Sequence, residues 1–343
     1  MEKRVGTAMI GLGRWSRQLA AAIRRTDSLD LITCFSRAPE NRQAFAADFG
    51  CRAAHTLEEA LTTPGVEAAI VSSPSYNHLE VTRAAVENGL HVFVEKAMAN
   101  TYAEGVQMSS EVEAHGLVLM IGHEMRRLGS TRAMKRILEE GRLGKVVLST
   151  GSMTLAGTFA PDNWRCHPET NHGGALMQLG IHPIENLIYL LGPVAEVQGY
   201  FAHVAAPADV DDIGVASLRF ENGAVATVSS SYVSPTAYEL HLYGDQANLH
   251  CVADMRVWPD ALKVDLNTSL TFQTRAVCDP VAIAPQDPLR EELDEFSRCV
   301  RGEAQPETGA REGLAAMAVV EAALQSFSAG RPVDPRPGGG IIY

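Results

Sequence analysis

The amino-acid sequence predicts an α/β fold with two domains. A doubly wound domain with a parallel sheet is expected at residues 1–124, and an α+β domain with a mostly antiparallel sheet at residues 125–343. The length of 343 residues corresponds to about two domains. In the first part, short apolar strands alternate with helical patterns, and this order requires helical crossovers between parallel strands. After about residue 145, β-rich runs follow one another closely, which is typical of antiparallel strands joined by short turns.

The elements of the first domain follow from its apolar runs and from the residues that bound them. Pro39 lies in the first turn of a predicted helix, where its fixed φ and missing N–H are tolerated. Gly89 follows another helix as a left-handed C-cap residue. The predicted strands are 7–10, 29–35, 68–71, 91–95 and 117–121, and the predicted helices are 18–25, 39–49 and 78–88.

The second domain is predicted to be a sheet with two helices. Asn222-Gly223 between two β-rich runs predicts a tight hairpin, because this pair adopts the positive φ angles of two-residue turns. A helix at 175–191 ends at Gly192-Pro193, and an Ala-rich helix at 311–329 is expected to pack back on the N-terminal domain. The predicted strands are 145–155, 194–205, 213–220, 224–232, 238–243 and 247–252.

The composition is that of an acidic globular protein. Hydrophobic residues make up 46% and charged residues 20% of the chain, so it can bury a full core. The net charge of −12 disfavours nucleic acid and anionic membranes as partners. Apolar runs are shorter than the roughly 20 residues of a membrane span, and the N-terminus has no signal-peptide pattern. We expect a cytoplasmic protein with neither a nucleic-acid nor a membrane partner.

The cysteines and histidines do not form a recognisable metal or disulfide pattern. Six cysteines are scattered along the chain without a CxxC pair, and we expect them to be buried small side chains. Cys166, His167, His172 and His182 lie within 17 residues, but their spacing matches none of the common zinc patterns. The sequence therefore predicts no metal site.

A glycine loop follows the first predicted strand and opens a helix. Gly11 permits a tight turn, and Gly13 lets a pyrophosphate approach the backbone at a helix N-terminus. Ser16 takes the third position of the pattern, where a small residue still permits close helix–strand packing. The strand–turn–helix context favours a dinucleotide site. The residues expected to contact the dinucleotide here are Gly11, Leu12, Gly13, Arg14 and Trp15.

The end of the second strand favours NADP over NAD. An acidic residue that binds the ribose 2′-hydroxyl of NAD is expected there, but the chain has Ser36 and Arg37, and Asp30 comes too early. A hydroxyl and a guanidinium suit a 2′-phosphate, and one charge-assisted hydrogen bond contributes roughly 1.5–3 kcal/mol. The alternative is that Ser36 caps the next helix and that Arg37 is solvated.

Two further positions carry side chains suited to proton transfer. Glu95 and Lys96 end the predicted strand 91–95, and ligands of open α/β sheets bind outside the carboxyl ends of the strands. In the predicted helix 175–191, Gln178 and His182 share a face at i, i+4 spacing. Pro183 predicts a kink or a helix start beside His182.

These motifs occur in the order and spacing of one family. They are the glycine loop, Ser73-Pro74 with His78, Glu95-Lys96, and a Gly-Gly…Gly-x-His helix that ends in His182. Over nearly its whole length the chain resembles the glucose–fructose oxidoreductase/inositol dehydrogenase/MocA (Gfo/Idh/MocA) family. The resemblance implies an N-terminal Rossmann domain and a C-terminal α+β domain whose large open sheet mediates homo-dimers or homo-tetramers. It also implies NAD(P)-dependent oxidation or reduction of secondary alcohols and ketones of sugars, sugar derivatives and cyclitols.

The resemblance assigns roles by position. Lys96 matches the lysine of the family's Glu-Lys-Pro motif, and His182 matches the catalytic histidine of its Asp-x-x-x-His helix, so both are expected to be catalytic. The chain departs from the pattern at three positions, where Ala97 replaces the proline, Gln178 the Asp of the helix and Asn186 a later Asp. A neutral Gln178 can orient a hydroxyl group but cannot raise the pKa of His182 by its charge.

Other residues join the expected site on the same basis. Glu185, three residues after His182, is a substitute partner for the histidine. The resemblance implies that the remaining cofactor contacts are Ser36, Arg37, Ser73, Pro74, His78, Glu95 and Lys96. The residues expected to orient the substrate are Gln178, Glu185, Arg126, Trp164 and Arg165.

The implied reaction is hydride transfer between the dinucleotide and a small-molecule substrate. His182 acts as the general base, and Lys96 hydrogen-bonds the same substrate oxygen. Two other functions remain open. One is a dihydrodiol dehydrogenase whose flatter, often anionic substrate is bound by Arg126, Arg127 and Arg165. The other is a non-catalytic dinucleotide-binding regulator, which the loss of the helix Asp favours and the retained lysine and histidine disfavour.

Overall fold

Residues 4–157, 159–257 and 260–336 are described by a computed structural model of the chain. Two units divide the chain. The first comprises Met1–Glu124 with Pro288–Leu314, and the second comprises Met125–Asp287 with Ala315–Tyr343. The division after residue 124 coincides with the predicted domain boundary. The return of Pro288–Leu314 to the first unit was not part of the prediction.

The first unit is built on a six-stranded parallel sheet. In chain order its strands are β1 (Val5–Ile10), β2 (Leu29–Phe35), β3 (Arg52–Ala53), β4 (Ala68–Val71), β5 (His91–Glu95) and β6 (Leu119–Gly122). They lie in the order β3-β2-β1-β4-β5-β6, so the direction of winding reverses between β1 and β4. Every residue of β1 and β4 is buried, as expected for a parallel sheet covered on both faces. The predicted doubly wound fold is confirmed.

Helices connect these strands, with capping residues at several of their ends. The helices are α1 (Arg14–Ile23), α2 (Pro39–Phe49), α3 (Leu57–Leu61), α4 (His78–Glu87) and α5 (Tyr102–Ala114). Gly50 ends α2 with a φ of 72°. Thr101 and Glu104 form a capping box at the start of α5. The predicted start of the first helix at residue 18 was wrong, because α1 begins at Arg14, directly after the glycine loop.

The second unit is built on an eight-stranded mixed sheet. Its strands are β7 (Val146–Thr154), β8 (Val194–Ala202), β9 (Ile213–Phe220), β10 (Val225–Ser231), β11 (Ala237–Gly244), β12 (Asn248–Ala253), β13 (Thr268–Gln273) and β14 (Cys278–Pro280). They lie in the order β14-β13-β12-β11-β7-β10-β9-β8. The β7–β10 pair is parallel and the other named pairs are antiparallel. The predicted open, mostly antiparallel sheet is therefore confirmed.

The predicted hairpin at Asn222-Gly223 joins β9 and β10. Gly223 has a φ of 90°, which favours glycine. The Asn222 side chain accepts a hydrogen bond from the backbone N–H of Ala224 at 2.9 Å. The hairpin prediction is confirmed.

Five further helices follow along the described chain, and short 3₁₀ segments lie in both units. The helices are α6 (Gly129–Glu139), α7 (Ile181–Leu191), α8 (Ala261–Val264), α9 (Pro288–Val300) and α10 (Ala310–Ala329). Short 3₁₀ segments are Ser75–Asn77, Glu124–Arg127, Trp164–Cys166, Met255–Val257 and Asp265–Asn267. Leu176–Gly180 forms a π-helical turn directly before α7, so the predicted helix 175–191 consists of two parts. The start of α7 at Ile181 agrees with the helix start that Pro183 predicted beside His182. Residues 310–314 of α10 belong to the first unit and the rest of this helix to the second. The expectation that the helix packs on the N-terminal domain stays a prediction.

The returning segment completes the first unit through its side chains and backbone. The rings of Phe93 in β5 and Phe296 in α9 are 5.8 Å apart in an edge-to-face arrangement. The Thr308 carbonyl oxygen accepts a hydrogen bond from the Ile121 backbone N–H, and the Thr308 hydroxyl donates one to the Ile121 carbonyl oxygen, both at 2.7 Å. These bonds cover the free edge of β6, which protects it from pairing with another chain.

Candidate active site

The glycine loop brings two loop segments of the first unit into close contact. Gly11 has a φ of 86°, and a Cβ at this position would lie 2.4 Å from the backbone nitrogen of Ser73. Only glycine fits there, because a side chain would be strained and would collide with the loop after β4. The loops after β1 and β4 therefore meet at the switch point of the sheet, where doubly wound folds bind ligands.

The next glycine leaves the start of α1 open. Gly13 is the N-cap of α1 and provides no side-chain cap. A Cβ at Gly13 would meet no atom within 4 Å. The first N–H groups of a helix have no intrahelical partner and carry partial positive charge, so an open N-terminus is suited to phosphate.

The end of β2 carries an arginine that reaches the loop after β4. The exposed Arg37 guanidinium donates a hydrogen bond to the Tyr76 hydroxyl at 3.2 Å. The half-buried Ser36 donates to the carbonyl oxygen of Ala38 at 3.3 Å. Arg42 in α2 donates to the carbonyl oxygen of Ser36 at 2.7 Å and to that of Arg37 at 3.2 Å. A tyrosine and two arginines thus hold the segment expected to contact the ribose.

Glu95 joins β5 to the start of α1. Its carboxyl accepts a hydrogen bond from the Trp15 indole at 2.6 Å, and Glu95 is 6% exposed. Burial, together with the neighbouring Glu124, raises the pKa of Glu95 to about 8. Glu95 therefore holds a proton at neutral pH. The half-buried Lys96 follows it, and the Lys96–Ala97 peptide is cis.

His78 connects the loops after β4 and β5. Its Nε2 lies 2.8 Å from the carbonyl oxygen of Ser73, and its Nδ1 lies 3.0 Å from that of Ala97 and 3.2 Å from that of Met98. His78 is 1% exposed, and burial lowers its pKa. Both ring nitrogens face backbone carbonyl oxygens, so His78 ties the loop after β4 to the residues that follow Lys96. Its expected contact with the cofactor stays a prediction.

In the second unit, His182 lies in the first turn of α7, directly after the π-helical turn. Gln178 is 6% exposed and His182 is 3% exposed. The turn packs on β7, β9 and β10 of the same unit. A Cβ at Gly180 would lie 2.6 Å from Leu176 Cδ1, so the absence of a side chain permits this packing. Both polar side chains are consequently held in a buried, defined position.

A buried ion pair follows His182 along α7. The Arg126 Nε donates to Glu185 Oε1 at 2.7 Å, and the side chains are 6% and 2% exposed. The Arg126 guanidinium also lies over the Tyr189 ring, 4.6 Å from its centroid. Glu185 was expected as a partner for His182. The structure pairs it with Arg126, so two predicted substrate-orienting residues neutralise each other.

The loop before the π-helical turn is fixed by aromatic and amide side chains. The Arg165 guanidinium stacks on the Trp164 ring at 4.3 Å. Asn171 donates to the carbonyl oxygen of Arg165 at 2.8 Å and to the Tyr232 hydroxyl at 3.4 Å. Tyr232 in turn donates to the carbonyl oxygen of Gly174 at 3.2 Å. Trp164 and Arg165 are thereby tied to the start of the segment that carries His182.

Two family models match this chain. One, an oxidoreductase family with an NAD-binding Rossmann fold, matches residues 5–123, and the other, a GFO/IDH/MocA C-terminal domain, matches residues 131–250. Together they cover more than two thirds of the sequence.

The chain belongs to the Gfo/Idh/MocA oxidoreductase family.

Relatives of this Gfo/Idh/MocA protein agree with the assignment. A protein of Amycolatopsis mediterranei, provisionally named the oxidoreductase subunit of UDP-kanosamine synthase, is 30% identical over 72% of this chain and 75% of its own length. The D-xylose 1-dehydrogenase [NADP(+)] of Haloarcula marismortui is 25% identical over 90% of this chain and 86% of its own. A crystal structure from Desulfitobacterium hafniense, provisionally named an NADPH-dependent oxidoreductase, has 31% identity and a TM-score of 0.93 over 98% of this chain and 99% of its own.

The first unit of this Gfo/Idh/MocA protein fits a nicotinamide dinucleotide. The start of α1 has no side-chain cap, and a Cβ at Gly13 would meet no atom within 4 Å, so its backbone N–H groups are suited to a pyrophosphate. Gly11, Leu12, Arg14 and Trp15 lie on the same loop and first helical turn. The protein is an NAD(P)-binding oxidoreductase.

Within each unit the structure gathers most of the predicted residues. The first unit holds the glycine loop, Ser36, Arg37, Ser73, Pro74, Glu95 and Lys96 at the carboxyl ends of β1, β2, β4 and β5. The second holds Gln178, His182, Glu185, Arg126, Trp164 and Arg165. Sequence reasoning missed Tyr76, Asn171 and Tyr232. Only Tyr76 gave a signal, since it lies in the turn that follows Ser73-Pro74.

The cysteine and histidine positions considered for a metal contact other groups. Cys166 donates to the carbonyl oxygen of Ala160 at 3.5 Å, and His172 lies 3.0 Å from Glu321. In the described part of the chain, no group of three His, Cys, Asp or Glu side chains is placed to hold a metal ion. Among the same residues, no helix combines the length and the apolar character that crossing a membrane requires.

Proposed function

We propose that the protein is an NADP-dependent oxidoreductase that interconverts a secondary alcohol and a ketone of a sugar, sugar derivative or cyclitol. The observation that carries the proposal is Lys96 at the carboxyl end of β5, beside a sheet end that fits a dinucleotide. A buried His182 in the second unit of the same family member supports it. The named relatives, which include a D-xylose dehydrogenase, support sugars as the substrate class.

The chain's own side chains provide proton transfer and charge stabilisation. When bound, the nicotinamide cofactor accepts or donates the hydride. His182 removes the hydroxyl proton during oxidation and returns it during reduction, because an imidazole can both accept and donate a proton in general acid–base catalysis. The Lys96 ammonium donates a hydrogen bond to the substrate oxygen and stabilises its developing negative charge. Gln178, which replaces the family's Asp, orients the substrate as a neutral amide.

The chemistry at the end of β2 supports NADP over NAD. Arg37 follows β2 closely and is exposed, and its guanidinium donates a hydrogen bond to the Tyr76 hydroxyl. A 2′-phosphate would gain at least one charge-assisted hydrogen bond there, about 1.5–3 kcal/mol, which corresponds to roughly 10- to 150-fold in affinity. Arg37→Ala should therefore weaken NADPH binding by about that factor and leave NADH binding nearly unchanged. Equal losses for both cofactors would contradict the preference.

A panel of sugars, cyclitols and dihydrodiols, followed by the absorbance of NADPH, tests the activity. After a substrate is found, His182→Ala and Lys96→Met should each lower kcat by about 10²–10⁴-fold. The exposed residues His115 and Lys145 provide matched controls, and His115→Ala and Lys145→Met should keep full activity. Turnover within about threefold of the wild type in both site variants would refute the roles. Tight NADPH binding without turnover of any compound in the panel would favour the alternative function, a non-catalytic dinucleotide-binding regulator.

We also propose that one face of the mixed sheet, the face that carries the Thr150 side chain, binds a second copy of the chain. Its centre carries short hydroxyl side chains in one cross-strand row, namely Ser217, Thr227 and Thr150, with His241 and His250 beyond them. Eight strands about 4.8 Å apart and on average about seven residues long give a face of roughly 900 Å². A stable interface needs about 800 Å² per partner, so this face is large enough.

Light scattering on the wild type and on Thr150→Arg tests this interface. A buried arginine at the centre of the face should convert the oligomer to monomers. The exposed Ser110 in α5 provides the control, and Ser110→Arg should leave the mass unchanged. A wild-type monomer, or a Thr150→Arg oligomer of unchanged mass, would refute the proposal.

A further inference from the structure

Two cysteines of the first unit lie side by side, close in the fold to the segment that carries Ser36 and Arg37. Cys34 is in β2 and is 0% exposed, and the half-buried Cys51 lies between α2 and β3. The parallel pairing places Cys34 opposite Ala53, two residues after Cys51. The two thiols are hydrogen-bonded to each other. Cys34 is buried, as expected for the cysteines, and Cys51 is half-buried beside it.

The two thiols differ in the way that a reactive pair requires. The hydrogen bond from Cys34 and the positive charge of Arg24 lower the pKa of Cys51. The pKa of Cys34 is raised by the same hydrogen bond and by burial. Cys51 is thus the partly accessible thiol that ionises more readily, and Cys34 is the buried neighbour that ionises less readily. A low-pKa, accessible thiol next to a second thiol is the usual arrangement of redox-sensing cysteines.

We propose that Cys34 and Cys51 form a reversible disulfide with peroxide and that this disulfide weakens dinucleotide binding. In the first step the Cys51 thiolate attacks one peroxide oxygen, the O–O bond breaks, and Cys51 sulfenic acid and hydroxide form. In the second step the Cys34 sulfur attacks the Cys51 sulfur, the S–O bond breaks, and the Cys34 proton leaves with the hydroxyl as water. The hydroxide of the first step takes up the proton that the Cys51 thiol lost on ionisation. Overall the two thiols lose two electrons and two protons, and the peroxide is reduced to two molecules of water.

The effect on binding follows from the contacts of Cys34, and this part rests on the proposed function. The Cys34 sulfur lies 3.8 Å from the carbonyl oxygen of Arg42. The Arg42 guanidinium holds the carbonyl oxygens of Ser36 and Arg37. Formation of the disulfide draws the sulfurs to about 2.05 Å, so β2 or the chain at Cys51 must shift. Such a shift moves α2 relative to the Ser36-Arg37 segment, which is proposed to bind the 2′-phosphate.

Peptide mapping tests the disulfide without using cofactor binding or activity. The full-length protein is treated with a small excess of hydrogen peroxide, free thiols are alkylated, and tryptic peptides are analysed by mass spectrometry. Peptides 26–37 and 43–52 should appear as one disulfide-linked species that dithiothreitol separates. Cys51→Ser should abolish the species, whereas Cys278→Ser, at an exposed thiol, should not. Absence of the linked species in the wild type would overturn the proposal.

A fluorescence titration with NADPH tests the regulatory part. Oxidation should raise the Kd of the wild type by at least about threefold, and dithiothreitol should restore it. The Kd of Cys51→Ser should not respond to peroxide. A linked peptide with an unchanged Kd would refute the regulation. If NADPH binds neither form but the linked peptide appears, the proposed cofactor fails while the redox pair stands.

Discussion

Removal of Glu185 should destabilise the second unit strongly, because it leaves a buried charge without its counter-ion. The Arg126 and Glu185 side chains are 6% and 2% exposed, and Arg126 Nε donates to the carboxylate at 2.7 Å. Truncation of one partner of such a pair costs about 3–5 kcal/mol. Glu185→Leu keeps the approximate volume and removes the charge. Its equilibrium constant for unfolding should therefore rise by roughly two to four orders of magnitude.

The chain offers a matched exposed pair and a rescue variant. Arg219 and Glu196 form the same kind of ion pair, but their side chains are 53% and 41% exposed. Glu196→Leu should therefore cost less than about 1 kcal/mol. The double variant Arg126→Met/Glu185→Leu replaces both buried charges with apolar groups and should recover most of the stability lost in Glu185→Leu.

Urea unfolding monitored by circular dichroism, supported by Tm values, measures these differences. Far-UV spectra must first show that Glu185→Leu is folded without urea. A loss in Glu185→Leu no larger than that in Glu196→Leu would refute the argument from burial. A double variant as unstable as Glu185→Leu would show that lost packing, and not the unpaired charge of Arg126, causes the destabilisation.

Three further predictions follow from single positions. Since the pKa of Glu95 is raised to about 8, the folded state retains, between about pH 5 and 8, a proton that the unfolded state has already released. The free energy of unfolding should fall as pH rises through this window, by up to about 1.4 kcal/mol per pH unit. Glu95→Gln should remove this dependence when Tm is measured against pH, and equal slopes of Tm against pH in the wild type and the variant would contradict the prediction. Gly13→Val should keep the Tm within about 2 °C and weaken NADPH binding at least about tenfold in titrations. Gly11→Ala should instead lower the Tm, because a Cβ at Gly11 collides with the loop after β4. Asp265 accepts the backbone N–H of Gly129 at 2.6 Å at the start of α6, so calorimetry of Asp265→Ala should show a loss of about 1–2 kcal/mol, and an unchanged Tm would exclude this capping role.

The sequence predicted elements best where both ends carry local signals. The helix 39–49 matches α2, because Pro39 fixes its first turn and Gly50 ends it with a positive φ. The strands 29–35, 68–71 and 91–95 match β2, β4 and β5, since each is a short apolar run bounded by polar or turn residues. The glycine loop was predictable for the same reason, because its chemistry lies within six consecutive residues.

Features that depend on distant residues were not predictable. The ion pair of Arg126 and Glu185 joins positions 59 residues apart, and neither residue carries a local sign of its partner. The packing of Phe296 against Phe93 assigns α9 to the first unit, although its sequence follows the second sheet directly. Periodicity shows that a helix has an apolar face, but it does not show which surface that face covers.

The segment that carries His182 shows how a local irregularity can position a catalytic candidate. Pro183 lacks the N–H that would bond to the carbonyl of Leu179, four residues earlier, so a regular helix through this point loses a hydrogen bond. The chain instead forms a wider, π-helical turn at Leu176–Gly180 and starts α7 at Ile181. Gln178 therefore lies on a π turn and His182 on an α turn, and the i, i+4 spacing of one regular helix does not describe their relation. Gly180 allows this turn to pack closely within its unit, and His182 follows in the first turn of α7, while Gln178 on the π turn stands where the family has its Asp.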